Sequence, residues 1–231
     1  MTKWETEEWT ENAKRLLAWL ASLKEEQPVM LMVRHSHREM LKNHHDTMNA
    51  GLTELGKKLS QEMGMRIPPH RKAHIFLSVV PRCYQTAEAL MEGFVKQGGE
   101  IIDMDPLATL IGPEYSSRKV WENLNPNGEN VTEFVNRWAN DEFEGIEPFE
   151  DFRKRLMNDT IDRFQSIHDN QIHIHVTHDL ALMCTKRILL DRPLTHDDRE
   201  PYLGGLGITI DTGNPILFVA STSNTLKLID L

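Results

Sequence analysis

The 231-residue sequence has only two cysteines, Cys83 and Cys184, and no apolar run long enough for a membrane-spanning helix. Two cysteines cannot build the disulfide framework of a small secreted domain, so we expect two reduced thiols. The amino-terminal stretch MTKWETEEWTENAK is acidic where a signal peptide carries basic residues followed by an apolar core. These absences predict a cytoplasmic protein without membrane contact.

Positive charge is also scarce. Lys and Arg total 26 against 35 Asp and Glu, which gives a net charge of −9, and no local block of basic residues offsets it. Because such a chain repels a phosphate backbone at long range, binding to nucleic acid is not expected. A chain of this length buries enough surface to fold without a disulfide or a structural metal, so we expect one domain spanning residues 1–231.

Short apolar runs alternate with amphipathic stretches along much of the chain. Continuous apolar runs are typical of strands covered on both faces in a parallel sheet, and apolar residues three or four apart are typical of helices. The pattern predicts an α/β fold, a three-layer sandwich with a mostly parallel central sheet flanked by helices. The predicted strands are 29–33, 75–80 and 172–176, with short strands near 207–211, 216–219 and 226–228, and the predicted helices are 10–27, 53–63, 85–97 and 148–164.

Residues 103–146 interrupt this alternation. The segment is rich in Pro, Gly, Asn and acidic residues and fits no repeating unit. We expect an insertion that lies over the carboxyl ends of the strands, where open α/β sheets bind their ligands. Such a segment would determine substrate specificity.

Cationic and imidazole side chains follow three of the predicted strands. Residues 34–38 (Arg-His-Ser-His-Arg) follow the first strand, Arg82 follows the second, and His178 and Asp179 follow the third. Because the carboxyl ends of parallel strands lie at one edge of the sheet, these groups are expected to converge on one pocket. Arginine forks match phosphate oxygens, so the pocket is expected to bind a phosphate monoester.

The same residues suggest catalysis. Neighbouring positive charge disfavours protonation of an imidazole, so His35 is a candidate nucleophile toward phosphorus. Arginines and a second histidine would stabilise charge on the transferring oxygens. Asp179, beside His178 at the third strand end, is the nearest carboxyl group that could protonate the leaving oxygen.

Residues 34–38 resemble the Arg-His-Gly-x-Arg signature of the histidine phosphatase superfamily, which includes cofactor-dependent phosphoglycerate mutases, fructose-2,6-bisphosphatases and histidine acid phosphatases. Residues 52–56 resemble its Leu-Thr-x-x-Gly motif, and residues 78–87 resemble its Ser-x-x-x-Arg-x-x-Gln-Thr-Ala motif. Residues 176–179 resemble the segment with its last catalytic histidine, and residues 148–155 resemble the preceding helix. Four ordered motifs are far more specific than one.

The resemblance covers roughly residues 29–190 and implies a phosphatase that forms a phosphohistidine on His35. It implies no metal and no other cofactor. Ser36 stands where the family usually has glycine, and its hydroxyl could add a donor to the phosphate site. The residues that the resemblance places around the phosphoryl group are Arg34, Arg38, Arg82 and His178.

The proton donor is the point at which the sequence departs from the mutase branch, whose donor is a Glu in a Leu-x-Glu segment. The counterpart here, residues 107–109, is Leu-Ala-Thr. The pair His178-Asp179 resembles the His-Asp of the acid phosphatase branch, in which the Asp donates the proton, so that role is assigned to Asp179, with Glu114 as second candidate. Since nearby arginines favour the ionised form of Asp179, we expect an acid-shifted rate optimum.

Other functions stay open at this stage. The further histidines could hold a metal in a metallohydrolase: His37, His44, His45, His173 and His175. Packing or hydrogen bonding is the expected role of His173 and His175, and a solvated or substrate-facing position is expected for His44 and His45. A phosphomutase and a noncatalytic phospholigand-binding protein are also possible. The expected partner is a small phosphorylated substrate, and the carboxyl-terminal strands could pair in a homodimer.

Overall fold

The structure is a computed structural model, and it describes residues 2–165, 167 and 170–228, with the backbone alone at residues 44 and 45. Within these described residues, seven strands form one sheet in the order β3-β2-β4-β1-β5-β6-β7. The strands are β1 (Val29–Arg34), β2 (Lys72–Leu77), β3 (Glu100–Pro106), β4 (Gln171–Thr177), β5 (Gly205–Asp211), β6 (Asn214–Val219) and β7 (Asn224–Lys227). The strands from β3 to β1 pair in parallel, and β5, β6 and β7 are antiparallel.

Helices cover both faces of the sheet. They are α1 (Lys3–Thr6), α2 (Glu11–Ser22), α3 (Glu54–Gly64), α4 (Pro81–Lys96), α5 (Val131–Ala139), α6 (Phe149–Met157), α7 (Arg163–Gln165) and α8 (Asp179–Leu189). A π-helical turn, Asn158–Asp162, joins α6 to α7. None of the described helices is long and apolar enough to cross a membrane.

Strand β1 shows why the sheet needs two layers of helices. Successive side chains of a strand point to opposite faces. Val29 and Leu31 pack with the core that includes α2, α3 and α4, and Met30 and Met32 pack with the core that includes α5, α6 and α8. All four side chains are fully buried. The predicted α/β sandwich is therefore confirmed, with a sheet that is parallel in its centre.

The structure corrects several predicted boundaries. Helix α2 ends at Ser22 rather than at Gln27, because buried Arg71 binds the carbonyl groups of Lys24 (2.8 Å) and Gln27 and holds these residues as a turn. Strand β2 covers Lys72–Leu77 rather than 75–80, since Pro81 begins α4, four residues before the predicted start.

The segment 103–146 is more regular than its composition suggests. Its first four residues belong to β3, which pairs with β2 at the edge of the sheet, and residues 131–139 form α5. Helix α8, for which the sequence predicts no element, follows β4 directly and packs against α5 and α6. Its buried residues Leu182, Met183 and Cys184 belong to the same core as β1 and α6.

Candidate active site

The carboxyl ends of β1, β2 and β4 meet at one edge of the sheet, as predicted. The backbone N–H of His35 donates to the carbonyl of Thr177 (2.8 Å), and that of Ser78 donates to Val176 (3.1 Å). These bonds bring the three segments into register. A cavity of about 180 Å³ opens above them. Its catalytic candidates are His35, Arg38, Arg82, His178 and Asp179.

His35 is held in the form that a nucleophile needs. Its ring Nδ1 lies 2.8 Å from the carbonyl oxygen of Ser36, so Nδ1 carries the hydrogen and donates it. The Nε2 lone pair is consequently left for attack. Burial, followed by the charges of Arg82 and Arg34, holds the pKa of His35 well below 6.5. The imidazole is therefore neutral and nucleophilic at ordinary pH.

His178 is fixed in the complementary tautomer. Arg82 Nη2 donates to its Nδ1 at 2.8 Å, which leaves Nε2–H to donate to Ser78 Oγ at 2.9 Å. Burial is the first cause, and Arg82 the second, of a pKa well below 6.5 for His178. The ring lies edge-on to that of His35, with 5.5 Å between centroids.

The three predicted arginines surround His35 and are all buried. Arg38 donates to the Asn127 side chain (2.9 Å), Arg82 to the Thr47 carbonyl, and Arg34 to the Glu200 carbonyl (3.0 Å). The Nε atom of each guanidinium makes no hydrogen bond with any residue that the structure describes. Three buried guanidinium groups close to one imidazole make this end of the sheet suited to bind an anion.

Asp179 is the one carboxylate among the described residues that line the cavity. It begins α8, and its Oδ1 accepts the N–H of Leu180 at 3.0 Å. Its Oδ2 lies 3.0 Å from Arg34 Nη2 and 3.7 Å from Arg199 Nη2. The side chain is only 17% exposed. Asp179 thus lines the same cavity as His35 and His178 and is paired with an arginine.

Glu114, the second candidate for proton donor, does not line the cavity. It is exposed, and its backbone N–H binds the side chain of Glu147 (2.9 Å). Thr109, at the position of the mutase-branch glutamate, binds Asp159 and Arg155 instead. Its hydroxyl is therefore engaged by α6 and the following turn.

Ser36 supports the loop rather than the phosphate site. Its hydroxyl donates to the carbonyl of Gly56 (2.8 Å), and its N–H donates to Thr86 Oγ1 (3.0 Å). Both donors are used, so the predicted extra phosphate contact is not made in this geometry. Gly56 also contacts the His37 carbonyl so closely that a Cβ would collide with it. The Leu-Thr-x-x-Gly motif therefore clamps the loop that carries His35.

The further histidines fall into separate places. His37 lies against α3, with Nδ1 2.8 Å from Thr53 Oγ1, and stacks on Trp9. His173 and His175 lie on β4 and contact the ring of Phe76, and the side chains of residues 44 and 45 lie outside the described part of the chain. Across the described residues, no group of three or more His, Cys, Asp or Glu is arranged to hold a metal ion.

Four residues that the sequence did not single out complete the site. Tyr202 lies under the guanidinium of Arg34 at 4.7 Å, and Arg199 reaches both Asp179 and the carbonyl of Asn127 (2.8 Å). Glu200, whose carbonyl accepts from Arg34, forms a fully buried ion pair with Lys186 at 2.7 Å. No sequence motif marks this segment, 199–202, because its role depends on contacts with distant residues.

The family description that matches this chain is the histidine phosphatase superfamily (branch 1), over residues 30–210. The chain belongs to this superfamily. The resemblance read from the motifs is confirmed, as is the assignment to a phosphatase class. Among curated proteins, none matches the chain.

Solved structures show the same fold. YhfR from Bacillus stearothermophilus is 21% identical, with 80% of this chain and 92% of that chain covered and a TM-score of 0.54. The α-ribazole phosphatase of Shigella flexneri is 16% identical (83% and 95% covered, TM-score 0.52). A phosphoserine phosphatase variant from Entamoeba histolytica, solved with phosphoserine, is also 16% identical (82% and 94% covered, TM-score 0.53).

Proposed function

We propose that this protein hydrolyses small phosphate monoesters without a metal, through a phosphohistidine on His35. The observation that carries the proposal is the state of His35. It is buried and neutral, its Nδ1 hydrogen is bound to a carbonyl group, and it lines the same cavity as the guanidinium groups of Arg38 and Arg82. This is a nucleophile beside an anion site.

The reaction would proceed in two displacements. In the first, His35 Nε2 forms a bond to phosphorus while the bond to the leaving oxygen breaks, and Asp179 gives that oxygen a proton. In the second, water attacks the phosphohistidine, Asp179 accepts a proton from the water, and Nε2 leaves as neutral imidazole. Arg38 and Arg82 stabilise the charge on the transferring oxygens in both steps, and His178 joins them when its Nε2–H turns from Ser78 Oγ to a phosphoryl oxygen.

Asp179 has to be protonated for the first step although it is paired with Arg34. A dianionic phosphoryl group bound nearby competes with the carboxylate for Arg34. A general acid acts only in its protonated form, so an acid-shifted rate optimum is expected. A flat or alkaline profile would contradict this role for Asp179.

The first test is hydrolysis of 4-nitrophenyl phosphate by the unmodified protein and by His35→Ala, with and without EDTA. We expect chelator-resistant activity that falls by roughly a thousandfold or more in the variant. Radiolabelled phosphate should stay on the protein after denaturation in alkali, in which phosphohistidine survives, and should be absent from the variant. Activity abolished by EDTA would support a metallohydrolase instead.

The proton donor is tested by Asp179→Asn with two substrates. The 4-nitrophenolate anion leaves without being protonated, whereas the leaving oxygen of benzyl phosphate needs a proton to depart as benzyl alcohol. We expect a loss of roughly 10²- to 10⁴-fold in kcat for benzyl phosphate and a much smaller loss for 4-nitrophenyl phosphate. Equal losses would assign Asp179 to binding, and Glu114→Gln serves as the matched control.

A further inference from the structure

The part of the cavity wall that residues 111–128 form has no charge. Residues 111–128 contribute nine residues to the lining, and none of them is Asp, Glu, Lys, Arg or His. Six of these nine residues have apolar or aromatic side chains: Ile111, Pro113, Tyr115, Trp121, Leu124 and Pro126. The segment carries charged side chains elsewhere, at Glu114, Arg118 and Lys119, but these do not line the cavity.

The charged groups that do line the cavity are already engaged by the reaction. Arg38, Arg82 and Asp179 line the cavity, and the proposed function assigns the two arginines to the phosphoryl group and Asp179 to the proton transfer. Among the described lining residues, no cation is left to hold a carboxylate or a second phosphate of the substrate. Burying an unpaired charge against an apolar wall is costly, so a charged leaving group is disfavoured.

Contacts between aromatic rings hold the side chains of this wall in place. Trp121 contacts Tyr115 edge-on, with 5.2 Å between ring centroids, and stacks on Phe134 at 6.1 Å. Phe134 is buried in the core and stacks on Phe143. Tyr115 and Met48 are about half exposed, at 48% and 53%, although both line the cavity. These exposed apolar groups offer contact area to a ring that enters the cavity.

We infer that the substrate is a small phosphate monoester whose leaving alcohol carries an uncharged aromatic or similarly apolar group. This inference rests on the proposed function and narrows its substrate class. The cavity of about 180 Å³ has to hold the phosphoryl group as well as the leaving group, and an apolar cavity of roughly 150 Å³ holds one benzene ring. A leaving group of about one ring is therefore the size that this volume favours.

The test compares kcat/KM for benzyl phosphate, glucose 6-phosphate and 3-phosphoglycerate. Benzyl phosphate is used rather than an aryl phosphate because its leaving group is an ordinary alcohol, so a preference reflects binding rather than leaving-group reactivity. We expect benzyl phosphate to be favoured by roughly 10- to 100-fold over both. Equal rates, or a preference for either polar substrate, would overturn the inference while leaving the proposed function intact.

If the unmodified protein hydrolysed none of these substrates and also failed to hydrolyse 4-nitrophenyl phosphate, both the proposed function and the inference that rests on it would be overturned. A phosphotyrosyl peptide hydrolysed more efficiently than benzyl phosphate would overturn the assignment to a small molecule. The two failures are therefore distinguishable with the same protein sample.

Two variants locate the preference in the wall. Leu124→Lys puts a cation into the apolar surface and should lower kcat/KM for benzyl phosphate by roughly tenfold while raising it for 3-phosphoglycerate. The matched control is Leu226→Lys, at a partly exposed position on β7, which should change neither value. If Leu124→Lys fails to fold, Tyr115→Ala, at a half-exposed position, should raise KM for benzyl phosphate several-fold with kcat unchanged. An unchanged KM would refute the wall as the binding surface.

Discussion

The buried histidine on β4 gives a quantitative prediction about acid stability. His175 is fully buried and stacks on Phe76 with 4.9 Å between ring centroids. Burial, followed by the charge of His173, lowers its pKa to about 3. Burial also lowers the pKa of His173, to about 4. Both side chains are therefore neutral in the folded protein at neutral pH.

The sign of the effect follows from which state binds the proton. In the unfolded chain a histidine has a pKa of about 6.5, so below that pH the unfolded state binds more protons than the folded state. The stabilisation is fully present above pH 6.5 and is lost as the pH falls toward the folded value. Each pH unit costs about 1.4 kcal/mol, so His175 alone lowers the free energy of unfolding by about 2 kcal/mol between pH 6.5 and pH 5.

The assay is urea unfolding followed by tryptophan fluorescence at pH 7, 6 and 5, for the unmodified protein and His175→Leu. Leucine is similar in size and cannot titrate, so the variant should lose about 2 kcal/mol less between pH 7 and pH 5. The exposed His70→Leu is the control and should follow the unmodified protein. If the free energy of unfolding fell by the same amount between pH 7 and pH 5 in His175→Leu and in the unmodified protein, the reasoning would be refuted.

Three further predictions concern groups that support the active site. Lys186→Met leaves Glu200 as a buried carboxylate without its cation and should lower the free energy of unfolding by about 3–5 kcal/mol in urea titrations. The double variant Lys186→Met/Glu200→Gln should recover part of this loss of stability. Gly128→Ala should lower kcat for benzyl phosphate at least about tenfold, because a Cβ at this position collides with the Asp179 carboxylate. The positive φ of 71° also suits glycine. A change in KM without a change in kcat would contradict this prediction. Gly56→Ala, whose Cβ meets the His37 carbonyl, should lower the thermal midpoint and activity together, and an unchanged midpoint would contradict the clamp.

The predicted strands and the positions of His35, Arg82 and His178 follow from local patterns. A run such as Val29–Val33 can be buried on both faces only in the middle of a covered sheet. The sequence therefore indicates that this strand has a neighbouring strand on each side and which residue follows its carboxyl end. The residue after each such strand then lies at the same edge. Predicted helix limits were less accurate, because the end of α2 depends on Arg71, which lies more than 40 residues further along the chain.

The sequence by itself determined the α/β architecture and the three strand ends that carry the candidate nucleophile, the arginines and the candidate proton donor. Only the tertiary structure decided how these groups are held. It places Arg199 and Tyr202 beside Asp179 and Arg34, and it turns the Ser36 hydroxyl toward Gly56. The reason is physical: alternating burial is a property of neighbouring residues, whereas the direction of a side chain is fixed by partners that are distant in sequence and meet only in the folded chain.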